Sequence, residues 1–185
     1  MVEGRPPDAD LVRRAQLGDD DAIRQIVTTY QDIAFRTAYL VTRSEEDARD
    51  ATQDGFVKAF RALDRFDRTK PLQPWLLRIV ANEARNRARA ARRRTALELR
   101  VIREPSGDAA PSPEGEVLAG DARRHLLDAV NRLPEEQRLV VAFRYFAGLS
   151  EEETAAALGV RTGTAKSRHS RALVRLRELM EPDDG

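Results

Sequence analysis

The 185-residue chain contains no cysteine. That excludes disulfides, thiolate metal ligation and a cysteine nucleophile, and makes the cytoplasm the simplest home. Histidine is scarce, present only as His125 and His169, so the Glu-x-x-His pairs of helical two-metal sites are missing. Aromatics make up 5%, and the core must therefore come from Ala, Leu and Val, a composition that suits helices. No segment approaches the ~18–20 consecutive apolar residues needed to span a bilayer. The opening MVEGRPPDAD has no apolar stretch, so no signal peptide and no membrane insertion are expected. Excess charge of one sign is also lacking: 34% of residues are charged, yet the net charge is +1. The whole-molecule field therefore says little about partners, and the distribution of charge says more.

Cations cluster at 85–94 and 161–177, and acids at 45–54 and 108–116. The cations are almost all arginine, with Lys58, Lys70 and Lys166 the only lysines. Arginine suits bidentate contacts to phosphate and guanine. Helical periodicity runs over 8–41 through Leu11, Val12, Ala15, Ala22, Ile26, Ile33, Ala34, Thr37 and Leu40, broken at Gly18-Asp19-Asp20. Ser44 caps a third helix to about Leu63, with Glu45, Glu46 and Asp47 at its positive end. Residues 64–73 read as a loop, and Pro74 opens a fourth helix from Trp75 to about Arg94. Residues 95–118 hold Pro, Gly, Ser and net negative charge, and read as a flexible linker. Periodicity resumes near Leu118, and Pro134 starts a further helix ended by Gly148. The expected fold is all-α: two small helical domains, 1–94 and 119–185, on a tether over 95–118.

Residues 149–176, LSEEETAAALGVRTGTAKSRHSRALVRL, read as a helix-turn-helix. Ser150 and Glu153 fit a capping box. Gly159 suits the left-handed cap that ends a helix. Thr162 or Thr164 caps a second helix carrying Lys166, Arg168, Arg171, Arg175 and Arg177, the kind of helix that enters a DNA major groove. Its inward side should be Ala165, His169, Ala172, Leu173 and Leu176, with His169 a core-edge residue. In the other half, Arg78, Arg85, Arg89 and Arg92 share one helical stripe, a phosphate-binding surface for which only Glu83 is a local acid. Asn82 and Asn86, one turn apart beside it, carry amides able to read base edges. The acids at 45–54 read either as a solvated helix start or as a docking face for a basic protein. No triad, phosphate-cradling glycine loop or close acid pair points to catalysis, a cofactor or a metal.

Taken together, 47–60 (DARDATQDGFVKAF), 74–94 (PWLLRIVANEARNRARAARRR) and 133–176 resemble, in order, three segments of the extracytoplasmic-function (ECF) group of bacterial RNA polymerase sigma factors. The resemblance extends from Asp10 to Met180. It implies a sigma factor, not an enzyme, whose partners are core polymerase (the β′ coiled coil and the β subunit), promoter DNA and, commonly in the group, an anti-sigma factor. By position it places Asp50, Gln53, Asp54 and Phe56 on the β′ coiled coil. Phe66 and Asp67 would hold a flipped base, and Arg78, Asn82, Arg85, Asn86 and Arg89 would meet the -10 element. Arg144, Gly163, Thr164, Lys166, Ser167, Arg168, Ser170 and Arg171 would lie on the -35 element.

The chain departs from the group's pattern at Thr154 and His169, where apolar residues are usual, at Arg161, near which proline is usual, and at Ser170, often His or Phe. Thr154 and His169 thin the helix-turn-helix core, and Ser170 leaves the base preference in the -35 element open. Two weak modules on one tether gain from effective concentration, since the second contact is intramolecular. Three rival functions compete: a free-standing helix-turn-helix regulator, a partner-sequestering adaptor that binds no DNA, and a metal-dependent helical enzyme.

Overall fold

The computed structural model describes residues 8–98 and 119–181, with side chains placed for 8–94 and 125–181. The tether at 95–118 lies, beyond Glu98, outside the described residues. Among the described residues there is no strand, no helix long and apolar enough to cross a membrane, and no His/Asp/Glu group that could hold a metal ion.

Local signals set most helix ends. Helix α1 (Ala9–Gln16) stops at Gly18, whose φ of +83° only glycine adopts cheaply. Asp19 accepts hydrogen bonds from the amides of Asp21 and Ala22 and starts α2 (Asp20–Thr42). Ser44 accepts from the Asp47 amide at 3.2 Å and starts α3 (Glu45–Ala62), with Glu45, Glu46 and Asp47 in the first turn as expected. A 3₁₀ turn follows at Leu63–Arg65.

Helix α4 is longer than its sequence signals suggest, running Leu72–Glu98. It begins at Leu72 rather than Trp75, because Leu72 is itself a core residue. Pro74 still falls within the first turn, where an amide has no intrahelical acceptor to lose. Helices α2, α3 and α4 pack through small residues: Ala34 and Ala38, Ala48 and Ala51, and Ala81 and Ala84 are all buried. Gly55 lets α3 and α4 approach closely; a Cβ there would stand 2.7 Å from Val80 Cγ2.

The C-terminal unit comprises α5 (Ala119–Arg132), α6 (Glu135–Val141) with a π-helical extension over Ala142–Phe146, α7 (Glu151–Leu158) and α8 (Thr162–Met180). The π turn differs from the single α-helix expected after Pro134. It buries Phe143 while leaving Tyr145 and Phe146 in solvent. One small core joins α5, α6 and α8 through Ala129, Val130, Leu133, Val141, Ala172 and Leu176. The opposite side of α6 and its extension faces elsewhere: Leu139, Val140 and Phe143, with Leu149 of the next turn and Ala157 and Leu158 of α7, share one core with Leu76, Leu77 and Val80 of α4. The two helical units are thus in direct contact and not linked by the tether alone.

Candidate nucleic-acid interface

The helix-turn-helix forms as its residues dictate. Ser150 Oγ accepts from the Glu153 amide at 3.1 Å, and Glu153 accepts from the Ser150 amide at 2.7 Å. Gly159 closes α7 at φ +68°. The start of α8 differs from expectation: Arg161, not a threonine, holds the N-cap position and makes no side-chain cap. Of the expected inward side, Ala165, Ala172 and Leu176 are buried, whereas Leu173 is 42% exposed. His169 is half-buried at the edge, with its Nε2 3.2 Å from the Tyr145 hydroxyl. Thr154 is buried with its hydroxyl unpartnered, a real cost to this core.

Gly163, Lys166, Ser167, Ser170 and Arg171 are exposed along α8, with Thr164 half-buried among them. Arg171 is steadied along the helix by the Ser167 hydroxyl and carbonyl. Two expected members of this surface are tied inward. Arg168 keeps only 18% of its side chain exposed and pairs with Glu136 at 2.8 Å. Arg144 donates to the Leu149 carbonyl, bracing the turn ahead of α7.

On α4, Arg78, Asn82, Asn86 and Arg89 are exposed, with Arg92, Arg93 and Arg94 beyond them. Arg85 shares their stripe but pairs with Glu135 at 2.8 Å and also donates to Asn82. Glu83, the expected local acid, instead pairs with Lys58 of α3 at 2.6 Å. Phe66, before α4, meets Trp75 of its first turn with ring centroids 4.7 Å apart. Gln16 donates to the carbonyls of Leu63 and Phe66 and pins this loop. No local sequence signal marks that role, since its partners lie 47 and 50 residues away. Asp67 accepts from the hydroxyl and amide of Thr69, and these bonds, with nearby Lys70, hold its carboxyl below the usual value of 3.8. Phe66, Asp67, Lys70, Trp75 and Arg78 line a cleft whose other wall is Glu152, Glu153 and Ala156 of α7.

On α3, Asp50 and Gln53 are exposed and Asp54 is half-buried. Arg87 of α4 spans both acids, 2.9 Å from Asp50 and 2.7 Å from Asp54. It is therefore tied to the acids of α3, unlike the exposed Arg89 and Arg92 near it in sequence. Phe56 must be corrected: it is buried and stacked near Phe60, so its ring holds the core and is not presented to a partner. Sequence reasoning also passes over Arg138. It is buried and donates to the carbonyls of Leu40, Asn131 and Leu133, joining α2 to the C-terminal unit.

Comparison with known proteins matches this geometry in both halves. Residues 26–94 fit the Sigma-70 region 2 family and residues 123–176 the Sigma-70 region 4 family. The ECF RNA polymerase sigma-E factor of Haemophilus influenzae is 32% identical, covering 94% of this chain and 93% of that protein. The sigma-E factor of Escherichia coli strain K12 is 34% identical, with 95% of each covered. Among solved structures, CnrH in complex with the cytosolic domain of CnrY has a TM-score of 0.69 at 29% identity, covering 96% of this chain and 99% of that one. The sigma factor RpoE in complex with the anti-sigma factor NepR from Bartonella quintana reaches 0.67 at 29% identity, covering 86% and 97%. Full-length relatives, matched regions in the right order and an all-helical fold with a helix-turn-helix agree, and the chain belongs to the ECF group of RNA polymerase sigma factors.

Proposed function

We propose that this sigma factor divides its work among three helices. The acids of α3, Asp50 and Asp54 with Gln53, dock on a basic surface of core polymerase, the β′ coiled coil. Helix α4 receives the -10 element on Arg78, Asn82, Arg85, Asn86 and Arg89, and Phe66 with Asp67 takes a base out of the stack. Helix α8 lies on the -35 element through Gly163, Thr164, Lys166, Ser167, Ser170 and Arg171, with Arg168 and Arg144 bracing it from behind. The working units are 1–94 and 119–185, joined by an acidic tether over 95–118.

The observation that carries this proposal is the presence of two separate cationic helix faces, on α4 and α8, in one chain that also displays an acidic helix face. A single-site regulator needs only one cationic face, and an adaptor needs none. Phosphate contacts from the two faces supply sequence-independent affinity, and the asparagines and small residues between them select. Extracting a base costs a few kcal/mol, offset when the base gains an aromatic-lined pocket. Bond-making belongs to the polymerase, so this chain needs no cofactor, and its place of work is the cytoplasm. CnrH and RpoE are each held by a protein partner in their solved complexes, and an anti-sigma protein is the corresponding partner proposed here.

The test is run-off transcription on fragmented genomic DNA with purified core enzyme, followed by sequencing of the transcript starts. Starts that share paired -10 and -35 motifs and appear only when this chain is added are expected. Failure of the chain to bind core polymerase would overturn the proposal.

A further inference from the structure

Helix α8, at about 100° per residue, sorts its side chains by direction. Gly163, Ser167 and Ser170 share the central exposed stripe. Arg171 and, a turn on, Arg175 stand on one flank of it, and Lys166, His169 and Leu173 on the other. A helix seated in a major groove has a phosphate backbone along each flank. The arginine flank is equipped for that neighbour, whereas between Gly163 and Arg175 the opposite flank offers Lys166 alone as a full charge. A further polar group reaches that flank from another element. Tyr145 stands beside α8 with its hydroxyl 3.2 Å from His169 Nε2, and the two rings lie 5.7 Å apart between centroids, inclined by 46°.

The backbone under Tyr145 is well fixed. The π turn Ala142–Phe146 is closed by the Ala147 amide on the Ala142 carbonyl at 3.0 Å. The Leu149 amide donates to the Phe143 carbonyl at 2.9 Å, and Arg144 to the Leu149 carbonyl. Phe143 anchors the turn in the core, yet Tyr145 keeps 60% of its surface exposed. Packing therefore does not account for Tyr145. Single π turns recur at functional sites, and this one sets an aromatic hydroxyl beside the helix proposed to meet DNA. Granted the -35 role of α8 proposed above, we infer that Tyr145 is a DNA-contacting residue and His169 its positioning residue. The His169 Nε2–H donates to the Tyr145 oxygen, and the Tyr145 O–H donates to a phosphate oxygen on the Lys166 flank. A neutral imidazole carries one N–H, and placing it on Nε2 leaves the hydroxyl proton free for the phosphate. The contact fixes α8 against the backbone and carries no base preference of its own.

Both arms of the test use holoenzyme assembled from core polymerase and the full chain, with a promoter duplex carrying the -35 motif found by run-off sequencing. In the first, Tyr145→Phe keeps the ring and removes only the hydroxyl. Duplex binding should weaken roughly three- to tenfold, as for one lost hydrogen bond to a charged acceptor. His169→Leu, which cannot donate, should weaken it about two- to fivefold. His169→Gln, which keeps an N–H donor at similar reach, should restore most of that loss. Adding His169→Leu to Tyr145→Phe should cost nothing further, because the two residues act through one contact. In the second arm, phosphates of the -35 element are replaced one at a time by uncharged methylphosphonate. At one position the difference between unmodified and Tyr145→Phe holoenzyme should vanish.

Unchanged binding by Tyr145→Phe would overturn the inference. So would a difference that persists at every methylphosphonate position, since the hydroxyl would then act inside the protein, and so would His169→Gln binding as weakly as His169→Leu. If holoenzyme with the unmodified chain binds this duplex no better than one with a scrambled -35 motif, the -35 role of α8 itself falls. The two failures are therefore distinguishable.

Discussion

Asp67 keeps its charge further into acid than a free aspartate, because two bonds from Thr69 favour the ionised form. Its folded-state pKa is lowered, so its contribution to stability is present above the unfolded value of 3.8 and is lost as pH falls through the lower folded value. Thr69→Ala removes the hydroxyl bond and should move the Asp67 midpoint back up toward 3.8, read by carboxyl-carbon NMR; an unmoved midpoint would show that the residue-69 amide and Lys70 set it. On α3, Phe56 and Asp50 should separate cleanly. Phe56→Ala removes a buried ring and should cost about 3–5 kcal/mol in urea unfolding. Asp50→Ala should cost under about 1 kcal/mol of stability yet weaken binding to core polymerase. Ser170 entered only through the family resemblance, whereas spacing along a helix was enough to place Asn82, Arg89 and Lys166 on exposed helix faces. It could not find which arginines are spoken for: Arg85, Arg87 and Arg168 are paired with Glu135, with Asp50 and Asp54, and with Glu136, acids far away in sequence.

Helix ends written in adjacent residues were legible. Asp19, Ser44, Ser150 and Gly159 each act within three residues of themselves, so the chain alone declares them. The early start of α4 and the π turn at Ala142–Phe146 were not, since burial of Leu72 and Phe143 against other elements decides them. Ser150→Ala removes one half of the capping box and should cost about 1 kcal/mol, measured by thermal unfolding. Gly55→Ala should cost roughly 1–3 kcal/mol, because the added methyl meets Val80 in a well-packed seam. The same substitution at Gly163, where a Cβ meets nothing, should leave stability nearly unchanged.

Two helical units, in the right order, could be read from periodicity and from the composition break at 95–118. Their mutual packing could not, because Leu139, Val140 and Phe143 have the pattern of any amphipathic helix and nothing in it names the partner. Arg138 is the polar joint of that packing. Burial and the nearby Arg43 lower its pKa from the usual arginine range to about 10, a penalty of the order of 3 kcal/mol for keeping it charged at neutral pH. Three carbonyl acceptors offset much of that cost. Arg138→Ala leaves them unpaired around a hole and should destabilise by about 3 kcal/mol, whereas Arg138→Met, which fills the space and removes the charge, should cost less than half as much. Because the group's folded pKa is depressed, its penalty applies in full below about pH 10 and fades as pH climbs toward the usual arginine range.

The glycine seam between α3 and α4 has a mechanical consequence. With Gly55 against Val80, the two helices form one stiff plate. The proposed docking acids stand on one part of it, and the proposed strand-opening edge on another. The packed seam sets the span from the docking acids of α3 to the proposed -10 residues of α4, so that span works as a ruler. Any slack in promoter length must then be taken up on the far side of the tether.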